Sequence, residues 1–237
     1  MTAAARAGRV RSLHRYPVKS MVGETVATLA VDRRGIVGDR AYAVLDADGK
    51  LGSGKSSKRF RKMEGLLLCA ARYSGGRALV RLPDGRELPA LDPACAGELS
   101  AVVGRRVSLG AERDVPHLDA TPVHLLSGAA LDWARDRMPD AQVDLRRFRP
   151  NVVLDVGGPG RVEDGWVGRE VAIGEVELLV EERTPRCVMV TMEQDGLPHD
   201  PRVLRALSAR DGEPCLGVGA SVVRGGTIRV GDPVCLH

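Results

Sequence analysis

The 237-residue chain carries 35 basic and 31 acidic residues, a formal charge of +4, with aromatics at only 3%. So mild a charge and so few rings exclude a base-stacking nucleic-acid platform, and no apolar run approaches the length of a membrane span. The five cysteines (Cys69, Cys95, Cys187, Cys215, Cys235) are scattered and lack any C-x-x-C pair, which argues against a disulfide framework, a zinc ribbon or a cysteine-ligated iron–sulfur cluster and fits a reducing cytoplasm.

Residues 1–8, Ala- and Arg-rich with no apolar core, read as a disordered tail. Short strands are predicted at 10–14 and 24–31, joined by Tyr16-Pro17-Val18-Lys19-Ser20, whose proline fixes a turn. A glycine turn at 35–39 leads into a strand at 40–45, and Asp48-Gly49 marks a hairpin. Strands at 66–73 and 77–82 bracket Gly75-Gly76. Asp92-Pro93 caps a helix over 92–103. The acidic, histidine-bearing segment 112–119 reads as a domain boundary. A second helix spans 127–138, capped by Ser127 and stopped by Pro139. Strands follow at 149–155 and 175–181, a short helix at 201–209, and closing strands at 216–223, 227–230 and 234–236. Many short strands, few helices and no strict β-α alternation favour a barrel or sandwich over a doubly wound sheet.

Gly49-Lys50-Leu51-Gly52-Ser53-Gly54-Lys55-Ser56 satisfies the Walker A pattern letter for letter. The hairpin signal inside it and the lack of βα repeats downstream set it aside. Residues 50–62 hold Lys50, Lys55, Lys58, Arg59, Arg61 and Lys62 and no acid, read either as a solvated loop or as a lip that attracts an anionic ligand. No nucleophile elbow or H-E-x-x-H motif is present, and nothing in the spacing supports a dyad of Cys187 with His199 or His124.

Arg183-Thr184-Pro185-Arg186-Cys187 precedes the apolar run Val188-Met189-Val190. A cysteine after an arginine and a proline-stiffened turn sits where a thiolate is held still and electrostatically favoured; the alternative is a small buried hydrophobe opening a strand. Lys19, Ser20, Arg40, Thr121, Arg149 and Asn151 lie beside prolines or glycine turns. As a set they offer the fixed cations and neutral donors that hold a phosphate and a heteroaromatic ring.

Taken in order, Tyr16-Pro17-Val18-Lys19-Ser20, Gly38-Asp39-Arg40, Asp119-Ala120-Thr121-Pro122, Phe148-Arg149-Pro150-Asn151-Val152-Val153, Glu163-Asp164-Gly165-Trp166, Arg186-Cys187 and Gly226-Thr227-Ile228-Arg229-Val230-Gly231-Asp232-Pro233-Val234 cover nearly the whole chain. In these stretches the sequence resembles the MOSC domain family, the molybdenum-cofactor sulfurase C-terminal-like proteins that include the mitochondrial amidoxime-reducing component and its bacterial relatives. The resemblance implies a mostly β fold with a few helices: a MOSC β-barrel (112–237) preceded by an N-terminal MOSC-type β-barrel subdomain (9–111). It implies a pterin-based molybdenum cofactor with Cys187 as the thiolate on the metal and Lys19, Ser20, Arg40, Thr121, Arg149, Asn151 and Arg186 as contacts to its phosphate and pterin. Asp119 is implied as the acid at the metal's open side. The expected chemistry is reduction of a small N-hydroxylated or N-oxide substrate in the cytoplasm. No fused ferredoxin follows His237, so electrons are expected from a separate flavin reductase, ferredoxin or haem protein. The alternative is a non-catalytic sulfur or cofactor carrier with Cys187 as a persulfide site. Pro185 departs from the serine that relatives often carry there, which removes one hydroxyl donor beside the cysteine.

Overall fold

The computed structural model describes residues 5–114, 116–208 and 212–237. Seven strands close into a barrel. In hydrogen-bonded order they are Ala5–Arg15, Val152–Val156, Val123–Ser127, Cys215–Arg224, Val176–Pro185, Glu170–Ile173 and Pro233–Leu236, which pairs back onto Ala5–Arg15. Neighbours are antiparallel except Val123–Ser127 and Val152–Val156, which run parallel.

The described residues contain four α-helices: α1 (Pro93–Val103), α2 (Gly128–Arg137), α3 (Leu145–Phe148) and α4 (Arg202–Ser208). A parallel pair needs a crossover, and α2 and α3 fill it. The two-residue period of the strands explains their composition. Val123, Leu125, Val152 and Leu154 point into the barrel core, while Leu126 and Val153, of opposite parity, pack outward with Ala130, Leu131 and Ala134 of α2. Burial on both faces makes these strands read as continuous apolar runs, each buried Val or Leu contributing about 1.5–3 kcal/mol relative to exposure. Helix starts follow their caps. Asp92 accepts the Ala94 N–H at 2.8 Å and Ser127 accepts the Ala130 N–H at 2.9 Å.

The first half of the chain builds a four-stranded sheet (Ser108–Ala111, Tyr42–Leu45, Leu51–Ser53, Phe60–Lys62) and a three-stranded one (Glu87–Pro89, Arg77–Arg81, Ala70–Ser74) around its own core of Met21, Val44, Leu66, Leu82 and Leu99. Strands also cross between the halves. Ala5–Arg15 completes the barrel, and Gly226–Arg229 pairs with Thr28–Asp32.

Several expectations change. Residues 5–8, expected as tail, are paired in the first strand because its partners leave a gap only that segment fills; residues 1–4 and position 209 of the expected last helix lie outside the described residues. The expected strand at 66–73 opens as a 3-10 turn, Glu64–Leu68, which buries the consecutive Leu66 and Leu67 as a strand facing one core could not, and becomes extended at Ala70–Ser74. The Walker-like segment is followed by the strand Phe60–Lys62, parallel to Leu51–Ser53, where a P-loop requires a helix. Glu170–Ile173 and α3 are additional to the predicted elements.

Candidate active site

Three non-glycine residues among those described have left-handed backbones: Ser20 (φ 64°), Arg40 (φ 47°) and Arg149 (φ 53°). All three belong to the predicted contact set. Such a conformation costs a non-glycine residue about 1–2 kcal/mol, and it persists where neighbours fix it at functional positions. Here hydrogen bonds do so. The Ser20 hydroxyl donates to the Gly52 carbonyl at 3.0 Å, the Arg40 N–H donates to the Tyr16 carbonyl at 2.7 Å, and Arg149 closes α3 with its N–H on the Leu145 carbonyl at 3.1 Å.

The buried Tyr16 ring gathers the cations. The guanidinium carbons of Arg40 and Arg149 lie 4.7 and 4.3 Å from its centroid, and its hydroxyl donates to the Pro150 carbonyl at 3.1 Å. Burial pushes the phenol up to about 12, so it stays neutral. The fully buried Asp39 accepts the Tyr16 N–H at 2.7 Å and pairs with Arg40. Burial opposes the Arg40 charge, yet Asp39 outweighs it and holds the guanidinium above its ordinary value. Arg149 is less well provided for. One of its terminal nitrogens donates to the Met21 carbonyl at 2.5 Å, while the other, Nη2, is buried without a hydrogen-bond partner. Burial and then Arg40 lower it to about 10.

Lys19 is 2% exposed, with its ammonium 4.8 Å from the Phe60 ring centre and donating to Asp119 at 2.6 Å. Burial lowers it to about 8 against the pull of Asp119. The Asp119 carboxylate remains 55% exposed. Partial burial works against its ionised form, but Lys19 prevails and keeps it below the ordinary carboxylate range. The segment read as a domain boundary folds back over this cluster: Glu112 pairs with Arg34, and His117 Nδ1 contacts the Arg40 carbonyl at 3.1 Å.

Cys187 lies two residues beyond the strand Val176–Pro185 and is half-buried. The run after it is a 3-10 turn, Val188–Thr191, in place of the expected strand opening, with the Val190 N–H donating to the Cys187 carbonyl at 3.2 Å. Arg186 stitches this end to the rest. It donates to the Leu216 carbonyl at 3.0 Å, to the Phe148 carbonyl at 2.8 Å and to His124 Nε2 at 2.5 Å. Burial lowers Arg186 to about 10, with Cys187 foremost among the groups opposing that shift. Because Arg186 donates, His124 Nε2 is the accepting nitrogen. Burial and then Arg186 hold that imidazole well below its ordinary value and therefore neutral. Asn151 Oδ1 accepts the His124 N–H at 3.1 Å and its amide nitrogen reaches the His14 carbonyl at 3.4 Å. Asn151 and Arg186 thus tie together the backbone at His14, His124, Phe148 and Leu216, next to Arg149 in the case of Phe148. Thr121 packs against Gly219, which leaves no room there for a Cβ.

Tyr16, Asp39 and His117 are the members that sequence reasoning left unassigned, although the first two stand inside quoted motifs. Thr184 Oγ1, three residues before Cys187, is a second buried polar atom without a partner. Two cations of the basic lip at 50–62 meet acids just outside it, Arg61 with Asp46 and Asp48, each at 2.6 Å, and Lys62 with Glu64 at 2.7 Å, while Arg59 donates to the Pro116 carbonyl.

Four cations (Lys19, Arg40, Arg149, Arg186) face two carboxylates (Asp39, Asp119), and Arg149 Nη2 lacks an acceptor. An excess of two positive charges with an unsatisfied donor fits a phosphate dianion. No group of three His, Cys, Asp or Glu side chains gathers as a metal site among the described residues. Cys187, half-buried and next to Arg186, is a soft sulfur donor of the kind that suits a metal whose other ligands come from a phosphate-bearing organic group.

These features define a closed β-barrel with a buried cation cluster that Arg186 links to the segment carrying Cys187. The sequence profile of the MOSC domain matches residues 106–235, more than half of the chain, and that of the MOSC N-terminal beta barrel domain matches 7–86. The chain belongs to the MOSC domain family. It is 34% identical over 133 residues to the mitochondrial amidoxime reducing component 2 of Rattus norvegicus, a match covering 51% of this chain and 38% of that protein. It is 25% identical over 287 residues to the Homo sapiens protein of the same name, covering 96% and 83%. The match to the rat protein thus takes in well under half of that relative's length. The YUAD protein of Bacillus subtilis shares the fold, with a TM-score of 0.55 at 16% identity over 99% of this chain and 98% of that one. No helix among the described residues is long and apolar enough to cross a membrane.

Proposed function

We propose that this protein binds a pterin-based molybdenum cofactor and reduces N-hydroxylated or N-oxide compounds with electrons from a separate donor protein, a flavin reductase, ferredoxin or haem protein, in the cytoplasm. The observation that carries the reading is the over-positive buried cluster around the unsatisfied Arg149 Nη2, joined through Arg186 to Cys187. The names of the amidoxime reducing components support the substrate class.

Lys19, Arg40 and Arg149 hold the cofactor's phosphate, and Cys187 is the protein's ligand to the metal. Ser20, Thr121, Asn151 and Arg186 complete the contacts to the phosphate and pterin, with Ser20, Asn151 and Arg186 also bonded to the surrounding backbone. The cofactor, when bound, supplies the two-electron redox chemistry. Departure of an oxygen from nitrogen requires a proton. Asp119, kept ionised by Lys19 and open to water, takes that proton on its exposed oxygen and relays it to the departing atom.

The test is the molybdenum and pterin content of the chain from a cofactor-producing host, with benzamidoxime reduction driven by reduced methyl viologen. Near-stoichiometric metal and turnover are expected, with metal lost and pterin partly kept in Cys187→Ser. Metal-free, pterin-free protein from that host would overturn the reading.

A further inference from the structure

Beside the candidate site lies a cavity of about 570 Å³ that no step above uses. Its size falls within the roughly 300–1,000 Å³ range of small-molecule sites. Two segments wall it. The first runs through Gly54, Lys55, Lys62, Glu64 and Leu68; the second, beginning immediately after Cys187, supplies Val188, Met192, Glu193 and His199.

The lining has a definite chemistry. Leu68, Val188 and Met192 make an apolar surface, and Val188 is 45% exposed, which for a large aliphatic side chain leaves apolar area for a ligand to cover. Gly54 belongs to the design. A Cβ there would meet Met189 Cγ at 2.6 Å and also collide with the Met192 sulfur, so the bare backbone lets Met192 close the wall with Met189 packed behind it. Of the charges, Lys62 and Glu64 cancel as a 2.7 Å pair. Lys55, with only the Phe60 ring at 5.6 Å, and Glu193 stand on different segments, and neither has a salt-bridge partner among the described residues. One unpaired cation and one unpaired carboxylate flanking an apolar surface fit a molecule of opposite polarity: an apolar body with an anionic group toward Lys55 and a basic nitrogen toward Glu193.

We infer that this cavity is the substrate cleft and that it selects dipolar compounds, an N-oxygenated nitrogen base and a carboxylate on one apolar frame, with Lys55 and Glu193 as the specificity-determining pair. The substrate assignment rests on the reductase reading proposed above; the cavity's ligand preference does not.

The probe is 4-amidinobenzoate, a rigid molecule with a carboxylate and an amidinium at opposite ends, compared with benzamidine and benzoate by calorimetry on the chain as isolated. Lys55→Ala is expected to weaken 4-amidinobenzoate about fivefold and leave benzamidine within about twofold; Glu193→Ala should do the same with benzoate as the unaffected control. Val188→Trp, which fills the cavity from an exposed position, should abolish binding of all three. No preference for the dipolar probe in the wild type, equal losses for all three ligands in Lys55→Ala, or unaltered binding in Val188→Trp would each overturn the assignment. Turnover of 4-carboxybenzamidoxime separates the two ideas. Selective binding without metal or turnover sinks the reductase reading alone, and metal with turnover but no selectivity sinks the cleft alone.

Discussion

Lys19 and Asp119, one hundred positions apart in sequence, meet at 2.6 Å with the ammonium sealed from water and the carboxylate half in it. The pair is asymmetric: burial depresses the lysine to about 8, and the lysine in turn depresses the aspartate.

Between about 8 and its ordinary value of 10.5 the unfolded chain holds the Lys19 proton while the folded chain releases it. Stability from this group therefore rises with pH across that window, and folding is penalised below it. Lys19→Met should be at least as stable as the wild type near neutral pH, since Asp119 stays hydrated when its partner goes. The wild type should gain on the variant from pH 8 to 10.5. Urea unfolding of both proteins across that range checks this; a difference that does not change with pH would refute it.

Arg149→Met removes a buried charge whose Nη2 has no acceptor. The ligand-free chain should lose no more than about 1 kcal/mol, and it gains if the methionine packs as well. Pterin content should nevertheless fall at least tenfold. Thermal melts beside pterin quantification test both halves, and a large melting loss would mean that Arg149 is structural.

Arg186→Ala strips donors from the Phe148 and Leu216 carbonyls and from His124. Leaving these buried acceptors unpaired should cost about 2–4 kcal/mol. Arg186→Lys should recover only a part, because one ammonium cannot reproduce the fork. Chemical denaturation measures the two losses.

Gly217→Ala places a Cβ at 2.6 Å from both His124 Nε2 and the Leu125 carbonyl, at a φ of 76°. Strain and collision together should destabilise by about 2 kcal/mol or more. A melting temperature within a degree of the wild type would contradict the close approach.

The sequence announced the parts of this fold that rest on local rules. Asp92 and Ser127 cap helices as composition requires, and Asp48-Gly49 turns a hairpin between Tyr42–Leu45 and Leu51–Ser53. Ser20, Arg40 and Arg149 sit in motifs whose backbones proved left-handed. What stayed hidden depends on distant partners. Ala5 to Gly8 carry no strand signal and become a strand only because Val156, Val234, Cys235 and Leu236 wait for them. Within the basic run 50–62, Arg61 and Lys62 looked unopposed because Asp46, Asp48 and Glu64 fall just outside it. Asn151 and Arg186 have the composition of ligand contacts, but their bonds to His14, His124, Phe148 and Leu216 become visible only once the barrel is closed.

The barrel's last seam joins Ala5 to Leu236 and Arg9 to Pro233. During synthesis the opening stave is therefore made first and must wait, unsealed on one edge, until more than two hundred further residues have been translated. An exposed edge of that kind is a template for pairing with another chain. Arg6, Arg9 and Arg11 put three like charges on that strand while it waits, which discourages it from pairing with the wrong neighbour.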